Sequence, residues 1–342
     1  MKIKKTIGTR LVHEFTILET LKDTHIPSAG DVGVFRILEI GRHKSIQAAD
    51  KRITSILEGD HIMASFANRY ATSQFEGYVP ESPQAVYDIL GAGGAIGLVK
   101  SKNAALEDEE PTKVELVGYC CDHNGSVINT QFYGIERSSF QGRLPGKAKV
   151  VLSIGSTMDS GKTTTAAFVA HGLKMGGFDV GFIKLTGTAH AKDKDFVLDC
   201  GADYSFDFSD VGFPSTFLTS KQDILDIYQS LLDKFERNPV DYIVMEIADG
   251  ILQRETDFLL RDKSFMASIH SVIFSCGDSL SALKGMELLE KINIKPCLIS
   301  GKLTMSPLLI KEVKSIIDVP VHPIEEIMTG SLNHLITGSN QI

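Results

Sequence analysis

No apolar run in this chain approaches the ~20 residues a helix needs to cross a bilayer, so no membrane-spanning helix is expected. The basic start, with Lys2, Lys4 and Lys5, leads into no apolar signal core, so the expectation is a cytoplasmic protein. Cysteine is scarce. The five present, Cys120, Cys121, Cys200, Cys276 and Cys297, are odd in number, scattered and mostly inside apolar strand-like runs. That excludes a disulfide framework and fits buried free thiols in a reducing compartment. Adjacent Cys120 and Cys121 lack the two-residue spacer of a zinc knuckle or redox motif. Positive charge is also short: 35 Lys and Arg stand against 43 Asp and Glu, a net charge of −8. A general nucleic-acid binder would need a basic face instead. There is no internal repeat and no low-complexity tract. With 342 residues, 43% hydrophobic and 23% charged, the chain is an ordinary globular one, long enough for two domains.

What the sequence does have is a phosphate-loop signature. Residues 150–154 are an apolar, largely β-branched run, followed by Gly155, Ser156, Thr157, Met158, Asp159, Ser160, Gly161, Lys162, Thr163 and Thr164. That is the order strand, loop, helix. Backbone N–H groups of such a loop, with the positive end of the helix, cradle phosphate oxygens. Lys162 is placed to reach the terminal phosphates, and the Thr163 hydroxyl to ligate Mg²⁺. The alternative is a glycine-rich turn that binds nothing. Five residues separate Gly155 from Gly161 where the usual motif has four, and Ser156 takes the ordinary first-glycine position.

After the loop, strands and helices alternate. A helix is expected over 163–175 and another over 221–237, with strands at 178–185, 242–247, 271–275 and 297–300 and a short sixth at 319–321. This predicts an α/β domain with a doubly wound parallel sheet, whose ligands sit at the carboxyl ends of strands. Lys184 closes the second strand, where it would stabilise charge on a transferred phosphoryl group or simply snorkel at the surface. Glu246 closes an apolar strand, where an unpaired carboxylate would be costly. Asp249, three residues on, reads as a second metal ligand, a substrate-binding group or a helix cap. Asp193 and Asp195 are candidate metal ligands or the acidic first turn of a helix, with Asp193 preferred.

Ahead of the loop the pattern is β-rich. Short strands around 15–18, 32–40, 61–66 and 114–119, with Gly and Asp turns, predict a smaller barrel-like N-terminal domain. The polar stretch 137–149 reads as a linker, giving domains at 1–145 and 146–342. Arg69 follows a strand and is a candidate anion-binding residue in a substrate surface. The glycine-dense 91–97 reads as turn chemistry, and the acidic run 107–110 as a solvated loop.

Three stretches together, Gly155 to Ala166, Lys184 to Thr188 and Glu246 to Gly250, resemble the dethiobiotin-synthetase-like P-loop superfamily, closest to a family that includes D-glutamate N-acetyltransferase. The partition ATPases match less well, because their second signature lysine is replaced by Thr157. The resemblance covers residues 149 to about 330. It implies that Lys184 with Thr186 or Thr188 handles substrate and phosphate, that Asp193 and Glu246 help Thr163 hold magnesium, and that the protein is a homodimer.

Three activities follow as expectations. The first is a Mg²⁺- and ATP-dependent phosphoryl transferase or ligase acting on a small carboxylate or amine, with Lys162 and Lys184 catalytic. The second is an N-acetyltransferase that uses the loop for the phosphates of acetyl-coenzyme A. The third is a nucleotide-dependent switch ATPase with a protein partner. The absence of an Asn-Lys-x-Asp motif alone favours ATP over GTP. The acceptor is not legible.

Overall fold

The computed structural model describes residues 2–338. They form two compact units. Among the described residues, the first comprises the chain up to Glu136 with Thr188–Ala191 and Phe208–Leu218, and the second Arg137–Gly187, Lys192–Asp207 and the chain from Thr219 onward.

The first unit is β-rich, and its strands close a ring. Val32–Glu39 lies antiparallel between His61–Phe66 and Lys113–Cys121. Lys113–Cys121 continues to Tyr87–Gly91, and that strand to Ala95–Lys102. Ala95 and Ile96 then pair in parallel with Ser65 and Phe66, returning to the start. Closure removes the exposed strand edges that an open sheet would present. Alternating side chains point inward, so Phe35, Phe66 and Tyr87 meet edge to face, Phe66 and Tyr87 at 5.2 Å between centroids. The glycine-dense segment is the turn between two of these strands, with Gly94 N–H donating to the Gly91 carbonyl.

In the second unit six parallel strands form one sheet, ordered Tyr204–Asp207, Val180–Lys184, Tyr242–Glu246, Lys149–Gly155, Ile269–Ser275 and Leu298–Ser300. The central strand is buried from Val150 onward, as expected when helices cover both faces. Helix Lys162–Met175 presents Ala166, Ala167, Val169, Ala170 and Leu173 to the sheet, and these small side chains let it pack close to Val151 and Val244. Helix Lys221–Asp233 buries Ile224, Ile227, Tyr228 and Leu231, and the Ser220 hydroxyl caps it by accepting from Asp223 N–H.

Two elements differ from the sequence reading. Val321 makes only a bridge to Ile299, and the sixth strand is instead Tyr204–Asp207 at the opposite edge. The polar stretch read as a linker is pinned along a helix: Ser138 N–H donates to Ser230 Oγ and Phe140 N–H to Asp226. Among the described residues no helix is long and apolar enough to cross a membrane.

Candidate functional site: the phosphate loop and the strand ends beside it

The strand Lys149–Gly155 runs into the loop, and helix Lys162–Met175 starts at Lys162. Gly161 has φ +102°, the left-handed region, and a Cβ there would lie 3.1 Å from Gly301 Cα. Neighbouring loops hold the turn. Ile251 N–H donates to the Gly155 carbonyl, Lys302 N–H to Ser160 and Ser156 N–H to Ser275. Gly250 packs on the loop so closely that a Cβ would sit 2.5 Å from the Ser156 carbonyl oxygen. The Ser156 and Ser160 hydroxyls are buried with no hydrogen-bond partner among the described residues. Such groups are costly unless a ligand satisfies them.

Lys162 is buried, and its ammonium donates to the Thr157 carbonyl at 2.8 Å, folded back on its own loop. Burial pulls its pKa below the usual lysine value, and Lys184 adds to this. Glu246, Asp249 and Asp159 oppose it. Lys184 goes the other way. Burial alone would lower it, but Glu246, Asp193 and Asp207 together raise it above the ordinary value. This lysine is held charged.

Register explains the difference. Lys184 lies opposite Glu246 on one neighbouring strand and opposite Asp207 on the other. Its ammonium is 3.6 Å from Glu246 Oε1 and ion-pairs with Asp193, in the first turn of helix Lys192–Asp199. Glu246 Oε1 also accepts from the Thr163 hydroxyl at 3.0 Å. Thus Thr163, Glu246, Lys184 and Asp193 form one connected network.

Glu246 is only 2% exposed, and its Oε2 has no hydrogen-bond partner among the described residues. Leaving half of a buried carboxylate unsatisfied is expensive unless a cation takes it. The donors nearby are a carboxylate and a hydroxyl, both hard oxygens, which fits Mg²⁺. Among the described residues no group of three or more His, Cys, Asp or Glu could hold a metal. Mg²⁺ does not require one, since it binds through one or two carboxylates plus phosphates and water.

The four substrate-binding candidates fall in different places. Thr186 is buried and accepts from Ala248 N–H at 2.9 Å, tying two strand ends together. Asp249 follows directly, with φ +61°. Thr188 belongs to the β-rich unit, where it bridges Ser215 and lies by Gly91. Arg69 lies there too, donating to the Leu90 carbonyl and to Gln74 Oε1.

Sequence reading missed Asp207. It is 2% exposed, pairs with Lys194 at 3.2 Å and contributes to holding Lys184 charged. Its mark was legible, for Tyr204-Ser205-Phe206-Asp207 ends a short aromatic strand in a carboxylate as Glu246 ends its own. Gly250 and Gly301 were also passed over, because their role is to let other chain segments approach the loop.

No protein-family model matches the chain, and no curated protein matches it. Solved structures do. The chain is similar to the signal recognition particle 54 kDa protein from Aeropyrum pernix K1 in complex with GDP, at 17% identity and TM-score 0.37, over 58% of this chain and 48% of that one. It is also similar to FtsY from Mycoplasma mycoides, at 14% identity and TM-score 0.37, over 59% of this chain and 74% of that one. A third is the signal recognition particle receptor FtsY from Elizabethkingia anophelis in complex with GDP, at 12% identity and TM-score 0.37, over 58% and 67%. The chain spans about half the length of the first of these. The chain's own parallel sheet, loop and helix establish a P-loop α/β fold here.

Proposed function

We propose that the chain is a Mg²⁺- and ATP-dependent phosphoryl transferase acting on a small-molecule acceptor, in the manner of the dethiobiotin-synthetase-like enzymes its motifs resemble. The observation that carries this reading is the orphaned Glu246 Oε2 beside the Thr163 hydroxyl and the charged Lys184. The loop from Gly155 to Thr164 binds the phosphates through backbone N–H groups, and the Ser156 and Ser160 hydroxyls gain partners there. Lys162 leaves the Thr157 carbonyl to meet the terminal phosphate, while Lys184 stabilises charge developing on the transferred group. Thr163, Glu246 and Asp193 hold the metal, which when bound neutralises phosphate oxygens.

The test is ADP formation from ATP with a panel of small hydroxyl compounds, amines and carboxylates. Acceleration by one class, abolished by chelating Mg²⁺, supports the reading. Acetyl-coenzyme A consumed without Mg²⁺ would replace it with the acyltransferase.

One observation keeps the switch reading in view. The segments that follow strand ends Lys184 and Asp207, Thr188–Ala191 and Phe208–Leu218, belong to the β-rich unit. A switch would turn over slowly with no acceptor and change the proteolytic sensitivity of those segments with nucleotide.

A further inference from the structure

Beyond strand Tyr242–Glu246 the backbone is fastened on both sides of one residue. Ala248 N–H donates to Thr186 Oγ1, and Ile251 N–H donates to the Gly155 carbonyl at 2.9 Å. Between them Asp249 is held at φ +61°, a conformation that costs a non-glycine residue but that Asp and Asn accept best. Gly250 lies against Ser156 and Thr157, which puts its chain neighbour Asp249 next to the phosphate loop. Its carboxylate makes no hydrogen bond and no ion pair with any described residue. Strain and partial burial without a partner are two costs with no structural return.

Three other acidic groups nearby already hold a partner through at least one oxygen. Glu246 accepts from Thr163, Asp193 pairs with Lys184, and Glu255, 1% exposed, is held by Gln253 and Arg254. We propose that Asp249 is the general base of the site, taking the proton from the attacking nucleophile, and that the acceptor is therefore a hydroxyl or amine compound rather than a carboxylate. This deepens the phosphoryl-transfer reading and rests on it.

In the step, the nucleophile's oxygen or nitrogen forms a bond to the γ-phosphorus as the bond from that phosphorus to the bridging oxygen breaks. The electron pair leaves with ADP, the nucleophile's proton passes to the Asp249 carboxylate, and solvent later removes it. A carboxylate acceptor has no proton to give and would be repelled. Burial raises the Asp249 pKa to about 6, Glu255 and Glu246 add to the rise, and Lys162 and Lys184 oppose it. That is near the optimum for a base working at neutral pH.

The experiment follows phosphate release from Mg-ATP, with water as nucleophile, across pH in wild type, Asp249→Asn and Asp249→Gly, alongside calorimetric Mg-ATP binding. Asn accepts the left-handed backbone and Gly relieves it, so both variants retain the fold, which a melting curve checks. Wild type should lose activity below about pH 6. Both variants should fall about a hundredfold and lose that acid limb while binding Mg-ATP as before, and added formate should partly restore Asp249→Gly. Variants within about threefold of wild type, a retained acid limb, or a wild type that binds Mg-ATP yet releases no phosphate at any pH would each overturn the proposal. A wild type that binds no Mg-ATP instead overturns the phosphoryl-transfer reading beneath it.

Discussion

The two units bury polar groups for different ends. In the β-rich unit, charged groups sent inward are answered by the scaffold. Arg69 is fixed by the Leu90 carbonyl and Gln74, Asp31 by His25, Ser28 N–H and Asn129, and Asp88 by Lys113 and Val99 N–H. In the α/β unit, three of the buried polar atoms without a hydrogen-bond partner among the described residues lie at the phosphate loop and the strand end beside it: the Ser156 and Ser160 hydroxyls and one oxygen of Glu246, with Asp249 close by. A buried charge with its own partner is structure. A buried charge without one is stabilised only when something arrives.

The largest expected effect that would sharpen this contrast is at Lys162. Lys162→Ala should lower phosphoryl transfer about a thousandfold with little change in melting temperature, measured as ADP formation. Next is Glu246→Gln, which should raise the Mg²⁺ concentration needed for half-maximal turnover about tenfold or more and weaken Mg-ATP binding while sparing ATP binding without the metal. A Glu246→Gln variant with unchanged Mg²⁺ response would break the contrast from the side of the α/β unit. In the β-rich unit, Arg69→Ala should cost about 1–3 kcal/mol in chemical unfolding, because it strands the buried Leu90 carbonyl, and leave turnover alone. An Arg69→Ala variant of normal stability with a raised acceptor KM would instead make Arg69 the anion-binding residue its position suggests.

The smallest effects are in pH dependence, and their signs oppose. His43 in the β-rich unit is half-buried, and loss of water around the ring, with Arg69 and Arg42, lowers its pKa from the usual 6.5 to about 4. Between those values the unfolded chain binds the proton and the folded one does not, so His43 makes stability fall as pH drops. Asp249 has a pKa raised from 3.8 to about 6, so there the folded chain holds the proton and stability rises as pH drops through that window. Asp249→Asn should therefore raise the melting temperature at neutral pH and not near pH 4, and His43→Gln should blunt acid destabilisation between about pH 6.5 and 4.

The sequence reads well where structure is local. The run 150–165 declares strand, loop and helix because apolar, glycine and helix-forming residues follow one another without interruption. Glu246 announces itself as a carboxylate ending an apolar strand. What the chain hides is set by distant partners. Strand Tyr204–Asp207 is an edge strand of mixed polarity, so its pattern is weak, and Asp207 gains meaning only from lying opposite Lys184. The five-strand ring closes through two residue pairs, Ser65 with Ala95 and Phe66 with Ile96, which no periodicity reveals. Nor does composition show that Thr188 belongs with the β-rich unit, since the segment follows a strand of the other.

The most direct measurement is a calorimetric titration of wild type and Glu246→Gln with ATP, with and without Mg²⁺. Mg²⁺ should tighten ATP binding to wild type, and most of this gain should disappear in Glu246→Gln. Equal binding with and without Mg²⁺ in both proteins would contradict this.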